Sequence, residues 1–391
     1  MNKKISLGLA LSLIAIASAI TFIITSFFSL QSFNEKVVDV NEKSKKYSAI
    51  QNIDSYVRQN YFGEINEEDL NTGILKGYVE GLDDPYSRYL TAEEYQNELS
   101  ENSGELVGLG LTLTEDESGY IRIAEILEGS PVADSVLTVG DIITFVDGND
   151  VLLTGFEESL EAMKGQEGTE ITITVRRDGV DKDYKFTRSS MELITVHGEM
   201  LGGYIGYIRI SGFKKNTPEQ FIDVLERLSS NGAKALIFDL RGNGGGLVSS
   251  LEECIDPLLP EGVVATAEYK DGSSETLVYS DESELDIPMV VLVDENTASA
   301  SELFAMALRD ADKAELVGKQ TYGKGVMQIT AEFDDGGAIV LTVAEYKTSK
   351  SECYNEIGIT PDYIVENKED SDTDAQYDKA VEVAQKLIEL G

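Results

Sequence analysis

Two short apolar runs, Ala235–Leu240 and Met289–Val293, constrain the fold of this chain more than any other feature. Each suits a buried strand, and each is followed by small residues and then a helical pattern. Tyr204–Ile210 is a further β-rich apolar run and Pro218–Leu228 reads as helix, so from about Met191 onward strands and helices alternate, which is α/β organisation. The two strand-to-helix junctions are unusual. In the first, Asp239-Leu240-Arg241-Gly242-Asn243-Gly244-Gly245-Gly246, successive glycines let backbone N–H groups approach a bound oxygen without side-chain obstruction, as an oxyanion site needs. In the second, Val293-Asp294-Glu295-Asn296-Thr297-Ala298-Ser299-Ala300-Ser301-Glu302 leads into the helical Leu303–Leu308. A hydroxyl at that helix start meets free N–H groups and the positive end of the helix dipole. Ser299 and Glu302 also have Ser-x-x-Glu spacing, so the residues alone leave a second reading open, in which Ser299 is an N-cap and Glu302 closes a capping box.

Composition narrows the chemistry. With 32 Lys+Arg against 71 Asp+Glu, the formal charge of -39 would repel a phosphate backbone, which argues against nucleic acid as a partner. A single histidine, His197, and two cysteines, Cys254 and Cys353, leave little material for histidine catalysis, a zinc site or a disulfide framework. Cys254 shares a helical face with Leu251, Ile255 and Leu258 and is expected to be a buried free thiol.

The chain of 391 residues has room for two or three domains. After Lys3 and Lys4, residues Ile5–Leu30 carry no charged side chain over 26 positions, more than the roughly 20 needed to cross a bilayer. Ala17-Ser18-Ala19 could mimic a signal-peptidase site, but the apolar run continues past it, so an uncleaved anchor is favoured. The positive-inside rule then puts the N-terminus in the cytoplasm and the rest of the chain outside a single-pass cell membrane. The expected organisation is a cytoplasmic tip and anchor over 1–35, a helical region over 36–102, a mostly-β domain over 103–190, an α/β core over 191–366, and an acidic loop with a C-terminal helix over 367–391. Within the helical region, Asp83-Asp84-Pro85 breaks one helix and Thr91-Ala92-Glu93-Glu94 starts another.

The middle domain contains, in order, Val107-Gly108-Leu109-Gly110-Leu111, Glu128-Gly129-Ser130-Pro131-Val132-Ala133, Gly140-Asp141-Ile142-Ile143 and Val146-Asp147-Gly148. It resembles a PDZ domain of the type found in bacterial proteases. The resemblance implies that a terminal carboxylate docks on the loop holding Val107, Gly108, Leu109 and Gly110 while the peptide adds a strand to the sheet edge. Where such domains usually have Ala-Gly-Leu-Lys-Pro-Gly-Asp, this chain has Ser135-Val136-Leu137-Thr138-Val139-Gly140-Asp141.

From about Val57 to Val365 the chain resembles the carboxy-terminal processing peptidases of family S41, serine proteases with an inserted PDZ domain and a Ser–Lys site. The matching motifs are Gly81-Leu82-Asp83-Asp84-Pro85-Tyr86-Ser87, the PDZ motifs, Gly206-Tyr207-Ile208-Arg209-Ile210, Asp239-Leu240-Arg241-Gly242-Asn243, Ala298-Ser299-Ala300-Ser301-Glu302, Gly323-Lys324-Gly325 and Gly358-Ile359-Thr360-Pro361-Asp362. The resemblance implies a Clp-protease/crotonase-like α/β core with an inserted mostly-β PDZ domain and an N-terminal helical arm. It implies Ser299 as nucleophile, Lys324 as base and Gln328 as support for the lysine. The oxyanion donors would be the N–H of Ala300 and one from the Gly244–Gly245 turn, where Gly244 replaces the usual proline. An arginine on the last PDZ strands would reach Gln328; Arg177 is the candidate, with Arg176 beside it. Asp310 and His197 are expected to be structural.

A lysine base fits a chain with one histidine, provided burial lowers its pKa well below the usual value of about 10.4. The implied activity is that of a membrane-anchored extracytoplasmic endopeptidase acting on proteins with exposed C-terminal tails. It would need no cofactor and no metal, and the helical arm could pair two copies in a homodimer. Two other classes compete: a non-catalytic PDZ scaffold, and an acyl-transferring or hydratase enzyme on the related crotonase-like core.

Overall fold

The computed structural model describes residues 45, 47–127, 129–368 and 373–390. The apolar segment Ile5–Leu30 lies outside the described residues, and among those described no helix is long and apolar enough to cross a membrane. The chain divides into two compact units, Met1–Ile74 and Leu75–Gly391. In the first, helix α1 runs through residues 47–60, and its Arg58 bonds Asp54 at 2.9 Å and Glu67 Oε2 at 2.9 Å, pinning the start of α2 (Glu67–Glu80).

The second unit begins with the end of α2 and the Asp-Asp-Pro stop. The stretch beyond it is not all helical, as the 36–102 reading expected, because Arg88–Leu90 forms a strand, β1. Its three residues pair antiparallel with Ala338–Val340, a long-range partner that no local pattern announces. Thr91 then caps α3 (Ala92–Ser103), with the Glu94 N–H donating to Thr91 Oγ1 at 3.3 Å and the Thr91 N–H to Glu94 Oε2 at 2.8 Å. This is the capping box that the sequence spells.

The inserted domain opens with β2 (Glu105–Gly108). Its sheet is built from β3 (Leu111–Glu115), β4 (Ile121–Ile126), β5 (Ile142–Val146), β6 (Asn149–Asp150), β7 (Glu170–Arg177) and β8 (Val180–Thr187). They run in the order β3-β4-β5-β7-β8, with β6 on β5. Alternation along β4 and β7 buries Ile121, Ile123, Ile171 and Ile173 against Ile143, while α4 (Val151–Thr154) and α5 (Phe156–Met163) cover one side. A returning strand, β9 (Ser189–Glu192), pairs with β2 in the register Glu105↔Glu192 to Gly108↔Ser189. The domain therefore joins the core through one two-stranded ribbon.

The core continues with β10 (Val196–Leu201), β11 (Ile205–Ile210), α6 (Thr217–Ser230), β12 (Ala235–Asp239), α7 (Val248–Ile255), β13 (Gly262–Tyr269), β14 (Ser274–Ser280), β15 (Met289–Val293), α8 (Ala300–Asp310), β16 (Ala314–Gly318), β17 (Val326–Glu332), β18 (Ala338–Thr348), β19 (Tyr363–Ile364) and α9 (Ala375–Leu390). One sheet has the order β10-β11-β12-β15-β16-β19, parallel except for β10 against β11. The other runs β1-β18-β13-β14, with β17 also on β18. All five residues of β12 and of β15 are buried, as their unbroken apolar runs required. Helix α8 touches β16 of the first sheet and β13 and β18 of the second, so nearly every side of it is buried. Phe304 on α8 meets Phe238 on β12 edge to face at 5.3 Å. On the opposite face of the first sheet, Ala380, Val383 and Ala384 of α9 cover Ile237, Val290 and Leu292. Cys254 is fully buried on α7 beside Leu251, and both cysteines are free.

Candidate active site

In parallel α/β sheets, ligand sites form beyond the carboxyl ends of the strands. Here β12 and β15 end side by side, and the two junctions that follow them interlock. The Ala298 N–H donates to Asn243 O at 3.1 Å, Thr297 Oγ1 to Leu240 O at 3.0 Å, and the Gly242 N–H to Asp294 Oδ1 at 3.0 Å. Gly245 has φ 102°, and a Cβ there would lie 2.8 Å from Ala298 O, 2.9 Å from Ser299 Cβ and 3.0 Å from Ala300 N. Only glycine allows this approach, which brings the glycine turn onto Ser299.

Ser299 occupies the N-cap position of α8, and its N–H donates to Glu302 Oε2 at 2.8 Å, so the capping geometry is present. Its backbone is nevertheless not that of an ordinary cap. N-caps take extended angles, whereas Ser299 has φ 58° and ψ -119°. A non-glycine residue held there stores about 1–3 kcal/mol of strain, a feature that clusters at functional sites. Ser299 is 8% exposed and stands at the first turn of α8, where no group among the described residues accepts the N–H of Ala300.

The glycine turn divides the expected oxyanion donors. The Gly245 N–H donates to Asn243 Oδ1 at 2.9 Å, and the Asn243 amide is itself anchored to Ile210 O at 3.0 Å. Gly245 therefore contributes close approach and not a donor. Gly244, exposed and with its N–H unclaimed among the described residues, and Ala300 remain as the open pair.

Glu302 was legible only as a cap. It is fully buried and accepts four bonds: from the N–H groups of Ser299 (2.8 Å), Gly323 (2.7 Å) and Lys324 (2.8 Å), and from Thr321 Oγ1 (2.5 Å). One carboxylate thus ties the backbone of Ser299 to that of Lys324, 25 residues on. Gly323, at φ 94° and with the backbone of Gly358 2.8 Å from any added Cβ, lets the loop turn back tightly enough.

The Lys324 amine is half-buried and sits 5.0 Å from the centre of the Tyr86 ring, with no carboxylate within salt-bridge distance among the described residues. Burial first, then the positive charge of Arg88, push its pKa down from the usual lysine value, against an opposing pull from Glu98 and Asp84. Val326 next to it is buried, whereas Ile329 is half exposed and does not help to close the site.

Two expected contacts are not made. Gln328 Nε2 donates to Val326 O and to Thr342 Oγ1, both at 3.3 Å, and its amide oxygen accepts no hydrogen bond from the lysine. Arg177 does not reach Gln328: its guanidinium bonds Asp141 Oδ1 at 2.7 Å and Val136 O at 2.7 Å, because the buried Asp141 carboxylate needs a cation. Arg176 is likewise engaged, bidentate to Asp181 at 2.7 and 2.8 Å. Asp310 accepts from Thr348, Lys350 and Ser351 and holds that loop, while His197 is exposed on the β10 edge of the sheet.

In the inserted domain, Val107 and Gly108 belong to β2 and pair with Ser190 and Ser189, so only Leu109 and Gly110 form a loop. Leu109 is buried in the domain core, and Gly110, at φ 67°, accepts the Leu127 N–H at 2.9 Å. The loop feeds β3, whose outer side is unpaired in the sheet. Leu111 and Leu113 of β3 and Phe156 and Leu160 of α5 are only partly buried on the domain core.

Sequence profiles match three parts of the chain: peptidase family S41 over residues 204–365, a PDZ domain over 98–176, and the N-terminal domain of the activating protease CtpB over 14–94. The carboxy-terminal processing protease CtpA of Bacillus subtilis is 31% identical over 401 residues, covering 99% of this chain and 85% of its own. A carboxyl-terminal-processing protease of Synechocystis is 34% identical over 331 residues, 81% of this chain and 77% of its own. Among solved structures, the photosystem II D1 C-terminal processing protease superposes with a TM-score of 0.50 at 24% identity, over 81% of this chain and 86% of that one, which speaks for the fold alone. With its α/β core, inserted PDZ domain and interlocked strand ends, the chain belongs to the carboxy-terminal processing serine proteases of peptidase family S41.

Proposed function

We propose that the chain cleaves proteins near their C-termini by a Ser–Lys acyl-enzyme mechanism. The observation that carries the reading is the shared acceptor: Glu302 Oε2 holds the amides of Ser299 and Lys324 at 2.8 Å each, beside a half-buried lysine amine with no carboxylate partner among the described residues. In the first step neutral Lys324 Nζ takes the proton of Ser299 Oγ as the oxygen bonds to the scissile carbonyl carbon. The oxyanion that develops is met by the N–H groups of Ala300 and Gly244 at the positive end of α8. Collapse breaks the C–N bond, and the leaving amine takes the proton from the lysine. Water then attacks the ester through the same base, releasing the carboxylate and restoring the hydroxyl. Gln328 sits two residues beyond Val326 on the same strand, and its amide must leave Val326 O and Thr342 Oγ1 before its oxygen can orient the lysine.

The substrate tail would add to the free edge of β3, with its carboxylate at the Leu109–Gly110 turn. The uncharged segment Ile5–Leu30 behind Lys3 and Lys4 supports an anchor in the cell membrane with the protease outside it.

The full-length chain in detergent, incubated with an unfolded protein beside Ser299→Ala, Lys324→Ala and Lys324→Arg, tests the mechanism. All three variants should lose the release of C-terminal fragments; equal activity in any of them rejects it.

A further inference from the structure

The motif Gly81-Leu82-Asp83-Asp84-Pro85-Tyr86-Ser87 lies far from the protease core in sequence, yet it ends inside the active site. Asp83 is in the left-handed region at φ 56°, Asp84 Oδ1 accepts the Tyr86 N–H at 3.1 Å, and Asp84 Oδ2 accepts from Ser87 Oγ. Ser87 Oγ in turn accepts the N–H of Thr342 on β18 at 3.0 Å, and Thr342 Oγ1 accepts from Gln328. The register Arg88↔Val340 continues the attachment. This turn is thus bolted to the strand facing Gln328, and its purpose in the fold is not packing: Tyr86 is only partly buried. What the turn delivers is the Tyr86 ring, 5.0 Å from Lys324 Nζ.

We propose that Tyr86 is a positioning residue for the general base, its ring covering one side of the Lys324 amine and keeping bulk water from it. The inference rests on the Ser–Lys reading above and deepens it. A ring face attracts an ammonium, which favours the charged lysine, but water solvates that charge better than a ring does. Cover by Tyr86 therefore leaves the neutral amine more populated than open solvent would. The other groups facing the amine are Arg88, which repels the ammonium, and Glu98 and Asp84, which attract it. Tyr322 and Glu302 act on the Tyr86 hydroxyl, and Glu302 also accepts the backbone N–H of Lys324 at 2.8 Å. Arg88 is paired with Glu98 at 2.5 Å, the two act on the amine in opposite directions, and burial is the leading influence on it.

The test uses the full-length chain and measures Lys324 directly, by competitive acetylation with acetic anhydride across pH and mass spectrometry of the Lys324 peptide, beside the pH profile of kcat/KM. Tyr86→Phe keeps the ring and should leave both unchanged. Tyr86→Ala should raise the labelling pKa of Lys324 and move the acidic limb of kcat/KM upward with it, at about a tenfold loss in rate at neutral pH per unit moved. Tyr86→Leu, which retains apolar cover, should fall between them and serves if the alanine variant does not fold. An unchanged labelling pKa in folded Tyr86→Ala or Tyr86→Leu overturns the proposal. A raised labelling pKa with an unmoved activity limb keeps the Tyr86 cover and overturns instead the assignment of Lys324 as the base.

Discussion

The backbone amides of Ser299 and Lys324 donate to one and the same oxygen, Glu302 Oε2, at 2.8 Å each. Because that carboxylate is fully buried, its two residues cannot drift apart without orphaning a buried donor, which costs about 1–3 kcal/mol. Positional precision at the site thus comes from a side chain that touches no substrate.

Replacing Glu302 by alanine leaves the N–H groups of Ser299, Gly323 and Lys324 and the Thr321 hydroxyl without their acceptor. A displacement of about 1 Å at a reacting group costs roughly 100-fold in rate, so kcat should fall by at least that much while the melting temperature drops by several degrees. Glu302→Gln keeps the shape and offers one oxygen, but its amide turns donors toward donors. It should therefore lose most of the activity as well. Steady-state kinetics beside thermal unfolding check both.

Gly245→Ala puts a methyl against the backbone of Ala298 and Ala300 at a φ that costs an L-residue about 1–2 kcal/mol. The glycine turn must then retreat from Ser299. Acylation by an active-site-directed fluorophosphonate should fall by two orders of magnitude or more, a larger effect than on folding measured by chemical denaturation. Gly244→Ala, at an exposed position with open space for a methyl, should be far milder.

The pH dependence has a defined sign. In the proposed mechanism only the neutral amine of Lys324 accepts the serine proton, so kcat/KM should rise with pH through the lysine pKa, which burial and Arg88 hold below the usual value. Arg88→Met removes a charge that lowers it and frees Glu98, which raises it, so the acidic limb should move to higher pH. Glu98→Gln should move it the other way. Opposite shifts in the two pH–rate profiles are the check; shifts of the same sign exclude this electrostatic account.

Asp239 sits fully buried at the end of β12, before the glycine turn, where Arg241 Nη2 bonds it at 2.7 Å and Arg241 Nη1 reaches Asp374 before α9 at 2.8 Å. Burial alone would raise the Asp239 pKa; the hydrogen bonds and charge of Arg241, with the Tyr207 hydroxyl at 2.7 Å, overcome it and hold the carboxyl low. A lowered carboxylate stabilises the fold above its unfolded pKa of about 3.9 and loses that contribution as pH falls through the lower folded value. Arg241→Ala takes away the nearer of the two guanidinium partners of Asp239, leaving Arg209 at 3.3 Å and the Tyr207 hydroxyl, and should cost about 1–3 kcal/mol at neutral pH. Denaturant unfolding should show this loss shrinking toward pH 3, and limited proteolysis should release α9 first.

Much of this architecture is written locally. The unbroken apolar runs of β12 and β15, the alternating β4 and β7, the Thr91 capping box and the helix after Ser299 follow from period and turn chemistry, which act over a few residues. Motif resemblance brought Ser299, Lys324, Gln328, Ala300, Gly244 and Gly245 to attention together. It could not say that Asn243 claims the Gly245 N–H, that Asp141 holds Arg177, or that Gln328 turns to Thr342, because hydrogen-bond competition is settled only among neighbours in space. Arg88–Leu90 makes the same point for the fold, since three residues spell no strand until β18 offers an edge.

The sequence by itself determined the longer strands and helices, the order of the domains and the two junctions rich in small residues, since each depends on side chains within a turn or two. The tertiary structure alone decided that Glu302 Oε2 would serve the amides of both Ser299 and Lys324, that Ser299 would carry a positive φ, and that Tyr86 would lie over Lys324. Those arrangements join residues as far as 238 apart, and only the pairing of β1 with β18 and the burial of α8 between two sheets bring them into contact.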